Sequence, residues 1–389
     1  MSGKQPELIA FSQHKLGGVQ SYYANLLSHD RSNAFHKKWI LTDQTNDVDA
    51  RLAIENNFCE QQIVRWSGSW NMDIAKQLSA CVSSKPGVVM TNHEPELMAL
   101  RMFPRKHKTI CFVCHDALYL DNALRYEFMI DVFIAHNEFF FNELKSRLPA
   151  ARVKDIYYLP YGIVLAPEVR KENPTRILKV LFIARLHQGK GIYDLEKIDT
   201  LLTNQNIHVE WTIVGDGPEK TNLIKALAAR ANFTFLTLKT TANVFETAVG
   251  HDIFVLPSYL EGLPVALLEA MSAGLVPIIY KFNSGIEKVV TNDNGFIVPV
   301  GDFQSIAEVI SKLQEDRQQL EEKSKKARLK VEQEYEVGVR AQAYYSLFSD
   351  FKKLKRPYQF KRLPGDGRLD YPFIPQFVRE GARKVRAWF

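Results

Sequence analysis

Short β-branched or aromatic runs alternate with stretches of helical spacing along the first half of the chain. This alternation is typical of βαβ units and of a parallel sheet. The predicted strands are 8–12, 38–42, 61–66, 87–92, 109–115, 132–137 and 156–162. Helices predicted between them include 18–29, 70–83 and 138–148. The first half is therefore expected to be α/β, with a doubly wound parallel sheet.

A polar, proline-containing stretch, APEVRKENPTR (166–176), interrupts this pattern and is typical of an interdomain linker. Beyond it the alternation restarts with the runs LKVLFIARL, HVEWTIVGDG, FTFLTL, HDIFVLPS, VPIIY and NGFIVPV, and charged helical sequence fills 303–335. A chain of 389 residues has room for two such domains. We predict one domain over 1–165, a second over 166–350, and a tail over 351–389.

Basic charge is concentrated in that tail. The whole chain has a net charge of +6, yet residues 351–389 hold 11 Lys or Arg against 3 Asp or Glu, leaving 39 against 41 elsewhere. A basic, aromatic-rich tail on a near-neutral body favours an anionic membrane surface over nucleic acid as a partner. With no secretion signal and no apolar run of about 18 residues, we expect a cytoplasmic protein, and peripheral membrane attachment stays open.

The end of the tail, QFVREGARKVRAWF, has the spacing of a basic amphipathic helix. Val378, Ala382, Val385 and Trp388 recur at helical intervals among arginines. Such a helix can lie on an anionic membrane. Packing back on the N-terminal domain is the equally weighted alternative.

Motifs for metal, haem or covalent chemistry are missing. Four cysteines are too few for a disulfide framework. CFVCH (111–115) has the spacing of a haem-attachment motif, but it lies in a predicted strand, which would point its two cysteines to opposite faces. The sequence contains no H-E-x-x-H, no paired C-x-x-C and no G-x-S-x-G. We expect neither a metal nor another cofactor.

Ligands of open parallel sheets bind beyond the carboxyl ends of the strands. The loops at those ends are 12–18, 91–96, 114–119, 184–191, 215–220 and 257–264. They contain most of the concentrated glycine, histidine and charge, so the candidate site residues are sought there.

In the first half, Gly17 and Gly18 lie between a strand and a helix, where glycine allows close approach of a ligand to the backbone and to the helix N-terminus. A plain tight turn is the alternative. His115 and Asp116 follow a predicted strand, and a histidine there can exchange a proton with a substrate hydroxyl. His115 could equally be a structural histidine, and so could His93.

In the second half, Arg185 and Lys190 lie in ARLHQGKG (184–191), where two cations beside glycine-rich backbone suit a diphosphate. A solvated loop is the alternative. The neighbouring VGDGPEK does not match G-x-G-x-x-G, which disfavours a nicotinamide dehydrogenase.

The stretch YLEGLPVALLEAMSAG (259–274) contains two carboxylates in an apolar run. Pro264 and Gly274 delimit a helix of about 264–273, so Glu261 precedes the helix and Glu269 lies inside it. A helix that is apolar nearly all round is buried, and an unpaired buried carboxylate costs several kcal/mol. Glu269 therefore needs a polar partner, either an ion pair or the hydroxyls of a ligand.

Together these segments resemble the retaining glycosyltransferases of family 4, which have the GT-B architecture of two facing Rossmann-like domains. The resemblance runs to about residue 350 and is most specific at LPSYLEGLPVALLEAMSAGLVPI, which contains the family's E-x7-E motif. It implies that Glu269 binds the ribose of a sugar nucleotide and that Glu261 lies beside the transferred sugar.

The resemblance also implies the remaining site residues. The backbone of Gly262, Leu263, Pro264 and Val265 would border the sugar and phosphates. Arg185 and Lys190 would bind the diphosphate and stabilise the leaving nucleotide. Gly17, Gly18, His115 and Asp116 would form the acceptor and phosphate loops.

Family enzymes are thought to react on one face of the sugar, with the leaving phosphate helping to deprotonate the acceptor, so no nucleophile or base is assigned. One departure is FNSGIEKVV (282–290), where Glu287 matches the family but the preceding loop does not.

The resemblance favours transfer from a UDP- or GDP-sugar to a glycan or lipid-linked acceptor in polysaccharide or lipopolysaccharide biosynthesis. The alternatives are a non-catalytic sugar-nucleotide-binding protein and a GT-B epimerase.

Overall fold

The protein is described by a computed structural model, which covers residues 5–14, 17–43, 58–66, 71–115, 117–171, 177–237, 242–282, 285–359 and 361. Contacts between residues divide the chain into two compact units. Unit 1 comprises residues 1–160 and 341–389, and unit 2 comprises residues 161–340. Each unit contains one parallel sheet, so the expected α/β class and two-sheet organisation are confirmed.

Unit 1 is built on seven parallel strands in the order β3-β2-β1-β4-β5-β6-β7. The strands are β1 (Glu7–Gln13), β2 (His36–Asp43), β3 (Glu60–Arg65), β4 (Gly87–Thr91), β5 (Lys108–Cys114), β6 (Val132–Ala135) and β7 (Ile156–Tyr158). Its helices before β7 are α1 (Gly18–Ser28), α2 (Asn71–Ala80), α3 (Glu94–Met102), α4 (Ala117–Arg125) and α5 (Glu138–Arg147). The order reverses between β1 and β4, the kind of switch point at which such sheets bind ligands.

Central strands of unit 1 are buried along their whole length, as is typical of parallel sheets that helices cover on both faces. All residues of β4, β5 and β6 are buried. The one cation among them, Lys108, is fully buried and donates to Glu7 Oε2 at 2.7 Å. A buried ammonium is tolerated there because its carboxylate partner is fixed in β1 of the same sheet.

Unit 2 is built on six parallel strands in the order β10-β9-β8-β11-β12-β13. The strands are β8 (Leu178–Ile183), β9 (Val209–Val214), β10 (Phe233–Leu236), β11 (Ile253–Leu256), β12 (Val276–Tyr280) and β13 (Phe296–Val298). Its helices are α6 (Asp194–Asn204), α7 (Lys220–Ala226), α8 (Ala242–Val249), α9 (Val265–Ser272), α10 (Phe303–Glu315) and α11 (Arg317–Glu334). The charged stretch 303–335 forms a helix pair, as predicted.

The division between the units differs from the predicted boundaries, which were 165/166 and 350/351. Residues from Tyr161 onward belong to unit 2, where Ile163 pairs with Glu336 in an isolated parallel bridge. The described part of the expected linker, 166–171, is packed within unit 2, because the Arg170 guanidinium is buried against Asp252 at 2.8 Å. This buried ion pair fixes residues 166–171 in unit 2, although their polar sequence is typical of an interdomain linker.

Residues 341–350, predicted to belong to the second domain, lie with unit 1. They are part of α12 (Val337–Ser349), in which the Tyr344 hydroxyl donates to Leu159 O at 2.6 Å and the Tyr345 hydroxyl donates to Leu26 O at 3.1 Å. Hydroxyls of buried tyrosines require such acceptors, and unit 1 supplies them.

The beginning of the tail is also packed on unit 1. It continues as α13 (Phe351–Leu354), after which Lys355 Nζ lies 2.9 Å from Asp131 Oδ2 and the Tyr358 hydroxyl donates to Arg101 O at 3.0 Å. The predicted amphipathic helix, with Val378, Ala382, Val385 and Trp388, lies outside the described residues. In the described part of the chain, no helix is long and apolar enough to cross a membrane.

Candidate functional site

Helix α9 places Glu269 as the sequence predicts. The helix runs from Val265 to Ser272, with Pro264 at its N-cap rather than in its first turn, and Gly274 follows its end at φ +86°. Leu267, Leu268 and Ala270 are fully buried, so the helix is enclosed by apolar neighbours, and Glu269 is only 8% exposed.

The Glu269 carboxylate has no hydrogen bond or ion pair to any described residue, so the alternative of a structural ion pair finds no support in that part of the chain. Burial alone raises its pKa from 4.5 to about 7. A carboxyl group that is mostly buried and has no protein donor is destabilised in its ionised form. The hydroxyls of a ligand would remove that destabilisation.

Glu261 lies in the loop before α9 and contacts Lys190 directly. Lys190 Nζ donates to Glu261 Oε1 at 2.6 Å, and the two side chains are 27% and 14% exposed. Lys190 ends a short 3₁₀ turn, Gln188–Lys190, after β8. The structure thus unites two of the predicted site residues, although they are 71 residues apart.

Backbone packing holds these two loops together. Gly191 has φ +66°, and a Cβ there would lie 1.9 Å from Pro257 O, so only glycine fits. The Tyr259 N–H donates to Gly189 O at 3.0 Å. The Gly191 position therefore requires glycine because the loop after β11 passes directly over it.

The N-terminus of α9 and the loop before it present backbone donors. Among the described residues, the N–H groups of Gly262, Leu263 and Val265 have no acceptor, and Pro264 has no N–H to offer. The first N–H groups of a helix are unsatisfied by geometry and form an anion site. Arg185, the second predicted diphosphate ligand, is exposed in the loop after β8.

A third loop of unit 2 packs on the same segment. The Leu186 N–H donates to Asp216 O at 2.8 Å, and the Glu219 N–H donates to Leu186 O at 3.1 Å. Loop 184–191 thus contacts both 215–220 and 257–264, as the rule for parallel sheets predicts. A cavity of about 290 Å³ beside it is lined by Gln188, Gly191, Tyr193, Asp194, Lys197 and Tyr259.

In unit 1, Gly17 is the N-cap of α1 and Gly18 its first residue, and both are exposed. The φ of Gly17 is 169°, which is extended backbone that any residue adopts. Its conformation therefore does not require glycine, and the predicted close approach of a ligand stays a prediction.

His115 lies beyond the end of β5, where the sequence places it. Its ring centroid is 4.7 Å from that of His136 and 5.2 Å from that of Tyr119. Burial, with smaller contributions from His136 and His93, lowers the pKa of His115 well below 6.5, so the imidazole is neutral at pH 7. Its Nε2 has no hydrogen-bond partner among the described residues. Asp116 lies outside the described residues.

Sequence reasoning considered His115 and His93 separately and missed His136. His93, His115 and His136 follow three successive neighbouring strands, β4, β5 and β6. Tyr22 packs edge-on against both His115 and His136, at 5.5 and 4.8 Å between centroids. The recurrence of histidine within two residues of the end of three consecutive strands was the available signal.

Two further expectations concern metals and Glu287. No group of three or more metal-ligating side chains occurs in the described parts of the chain, and metal independence stays a prediction. Glu287 is about half exposed and lies 3.4 Å from Lys281 Nζ, while residues 283–284 of the preceding loop lie outside the described residues.

Sequence comparison identifies the class of protein to which unit 2 is similar. Residues 168–330 match the family model of the group 1 glycosyl transferases. This match covers most of unit 2 and includes Arg185, Lys190, Glu261 and Glu269. The glycosyltransferase expectation is thus supported at the level of this group.

Particular relatives are biosynthetic glycosyltransferases. The chain is 32% identical over 187 residues to the amylovoran biosynthesis glycosyltransferase AmsK of Erwinia amylovora, covering 46% of this chain and 45% of AmsK. It is 24% identical over 174 residues to the capsular polysaccharide biosynthesis glycosyltransferase CapM of Staphylococcus aureus, covering 44% of this chain and 46% of CapM. The matched stretch spans less than half of each of these relatives.

Solved structures extend the likeness to both units. Sucrose-phosphate synthase from Thermosynechococcus elongatus aligns with a TM-score of 0.75 at 16% identity, covering 90% of this chain and 99% of that one. Anabaena HepE, solved with UDP-glucose, aligns with a TM-score of 0.69 at 17% identity, covering 88% and 99%. At these identities the likeness shows the fold alone, and it confirms the expected GT-B fold.

Proposed function

We propose that the chain is a retaining glycosyltransferase of family 4. It transfers a sugar from a UDP- or GDP-sugar to a glycan or lipid-linked acceptor in polysaccharide or lipopolysaccharide biosynthesis. The match to group 1 glycosyl transferases and the named roles of the relatives support this class. The observation that carries the proposal is the buried Glu269 carboxylate, which lacks a donor among the described residues.

Glu269 would bind the ribose of the donor nucleotide. A ribose offers two neighbouring hydroxyls, and the two oxygens of one carboxylate can accept from both. Hydrogen bonds to an ionised acceptor are about twice as strong as neutral ones. The nucleotide would thus supply the partners that Glu269 lacks.

The diphosphate would bind beside this ribose. Lys190 and Arg185 would neutralise its charge, and the free N–H groups at the start of α9 would add donors. Lys190 is held by Glu261 in the unliganded protein, at 2.6 Å, and would extend its contact to a phosphate oxygen. These cations would then stabilise the charge that develops on the leaving nucleotide.

No side chain is assigned as nucleophile or general base. In the proposed reaction, the leaving phosphate accepts the proton of the acceptor hydroxyl on the face from which it departs, so the sugar retains its configuration. Glu261 would lie beside the transferred sugar and accept from its hydroxyls. Gly17, Gly18 and His115 remain the proposed acceptor and phosphate residues of unit 1.

A binding screen against UDP-, GDP- and dTDP-sugars tests the proposal. Ligand at 100 times its Kd should stabilise the protein by about 2.7 kcal/mol. Glu269→Ala and Lys190→Ala should lose this stabilisation, whereas Lys326→Ala, which removes an exposed lysine from α11, should keep it. Stabilisation that survives both Glu269→Ala and Lys190→Ala would refute the proposed site.

Turnover separates transfer from the alternatives. Free nucleotide should be released when an acceptor is added to the donor identified in the screen. Donor binding without acceptor-dependent release would indicate a non-catalytic binding protein, and a changed donor sugar without acceptor would indicate an epimerase. EDTA should leave the release rate unchanged if Lys190 and Arg185 replace a metal.

A further inference from the structure

A second side-chain contact, between Asp194 and Tyr259, joins the two segments that carry Lys190 and Glu261. We propose that Asp194 and Tyr259 are positioning residues, which hold Lys190 and Glu261 at the separation needed to bind a nucleoside diphosphate. The inference rests on the proposed function, because it assumes that Lys190 contacts the diphosphate.

Asp194 is fixed by three donors. It is the first residue of α6 and is 2% exposed. Its Oδ2 accepts from the hydroxyls of Tyr259 at 2.8 Å and Tyr280 at 3.0 Å, and its Oδ1 accepts from Lys197 Nζ at 2.8 Å. A buried carboxylate with several donors is a rigid anchor, since each donor restricts its rotamer.

Tyr259 contacts the Lys190 segment twice. Its hydroxyl reaches Asp194, four residues after Lys190, and its backbone N–H donates to Gly189, directly before Lys190. The side chain is nevertheless 46% exposed. Because a half-exposed ring adds little to the core, its two hydrogen bonds are its main structural contribution.

The two contacts behave as parallel links between the same pair of segments. One link is Lys190 with Glu261, and the other is Asp194 with Tyr259, two residues before Glu261. Ligand binding changes the first link, because Lys190 must extend to a phosphate. Neither Asp194 nor Tyr259 is among the residues proposed to contact the donor, so the second link can maintain the spacing while the first one changes.

A double-mutant cycle tests this role with nucleoside diphosphates as probes. Binding of UDP, GDP and dTDP is measured by calorimetry, and the tightest of them is used. Tyr259→Phe should weaken binding about tenfold. In a Lys190→Ala background the same substitution should cost less than twofold, because the residue that it positions is absent.

Tyr193→Phe is the matched control. It removes a tyrosine hydroxyl that donates to a carboxylate, Glu219 Oε2, at 2.7 Å, from the residue next to Asp194. That bond does not reach the Glu261 loop, so nucleotide binding should change less than twofold. Asp194→Asn, which keeps an acceptor oxygen, should bind nucleotide more tightly than Asp194→Ala.

Each outcome decides between the claims. Equal losses from Tyr259→Phe in both backgrounds would show a merely structural role and overturn the inference. Unchanged binding by Tyr259→Phe, with weakened binding by Lys190→Ala, would overturn the inference alone. If Lys190→Ala binds normally, or no nucleotide binds, the proposed function fails and the inference fails with it. If Asp194→Ala does not fold, the Tyr259→Phe cycle still decides.

Discussion

Two buried glutamates, Glu96 in α3 of unit 1 and Glu269 in α9 of unit 2, have similar positions and different surroundings. Each lies on a helix that follows a parallel strand, and they are 1% and 8% exposed. Glu96 Oε2 accepts from the N–H groups of Asn92 at 3.0 Å and His93 at 3.1 Å, closing a capping box. Glu269 has no such donors in the described part of unit 2.

The two carboxyl groups also differ in their protonation. Burial raises the pKa of Glu96 to about 8, although two backbone donors oppose the rise, and it raises the pKa of Glu269 to about 7. At pH 7, Glu96 is mostly neutral and Glu269 is about half ionised. A buried carboxyl supplied with donors by its own fold serves as a helix cap, whereas one without donors has its acceptor oxygens left for a ligand, the role proposed for Glu269.

Other residues at the strand ends follow the same division. In unit 1, burial lowers the pKa of His136 to about 4 and that of His115 well below 6.5, so both are neutral at pH 7. In unit 2, Lys190 and Glu261 form an ion pair. The ends of β5 and β6 thus carry uncharged groups, whereas the loops after β8 and β11 carry charged ones.

The largest expected effect is on nucleotide affinity. Glu269→Ala should weaken binding of the preferred nucleoside diphosphate about a thousandfold, because two charge-assisted hydrogen bonds of about 2 kcal/mol each are lost. Glu96→Ala should change it less than threefold. Calorimetric titration of both variants measures the contrast, and equal losses would abolish the distinction between cap and ligand.

The next largest effect is on the free energy of unfolding. Gln at either position should stabilise the unliganded protein at pH 7 by up to about 3 kcal/mol, because the folded-state pKa values exceed the unfolded value of 4.5. That gain should disappear as the pH falls towards 4.5, where both states are protonated.

The alanine variants should then diverge. Glu96→Ala leaves two backbone N–H groups without an acceptor and should lie at least about 2 kcal/mol below Glu96→Gln. At position 269 the gap should be about 1 kcal/mol, set by lost packing alone. Denaturant titrations of the four variants test this, and a large gap at 269 would reveal a donor outside the described residues.

Acid should weaken unit 1 through His136. Its folded pKa, about 4, lies below the ordinary value of 6.5, so its contribution is complete above pH 6.5 and is lost as the pH falls towards 4. Between pH 7 and 5 this amounts to about 2 kcal/mol. The stability difference between wild type and His136→Gln should shrink by that amount, and a constant difference would mean that His136 is not buried in its neutral form.

The smallest effect is the pH dependence of affinity. If ribose hydroxyls donate to the ionised carboxylate, as proposed, nucleotide binding should tighten about tenfold from pH 6 to pH 8, as Glu269 ionises around pH 7. Glu269→Gln should lack this dependence, whereas Glu96→Gln should keep it. The ionisation of the nucleotide's phosphates is measured over the same pH range, so that its own contribution to the pH dependence can be subtracted.

The pattern of apolar and helix-delimiting residues along the sequence predicts much of the fold. Continuous apolar runs predicted the buried strands, and Pro264 with Gly274 predicted α9 to within one residue. The boundaries between units were predicted less well, because they depend on individual buried contacts. Arg170 with Asp252 and Tyr344 with Leu159 are examples that no local pattern signals.

Some residues of the candidate site could likewise be predicted from local sequence, and others could not. Glu269 could be predicted because a charge inside an apolar helix contradicts its neighbours. Asp194 and Tyr259 could not, since an aspartate at a helix start and a tyrosine in a loop are ordinary, and their hydrogen bond joins residues 65 positions apart. The histidines after β4, β5 and β6 carried a signal that only the strand order made meaningful.

Proton release on nucleotide binding tests the central claim most directly. At pH 7, calorimetry in two buffers of different ionisation enthalpy should show that wild type releases about half a proton more per bound nucleotide than Glu269→Gln does, because binding ionises the half-protonated carboxyl. Equal proton release by wild type and Glu269→Gln would contradict the assignment of Glu269 as a nucleotide ligand.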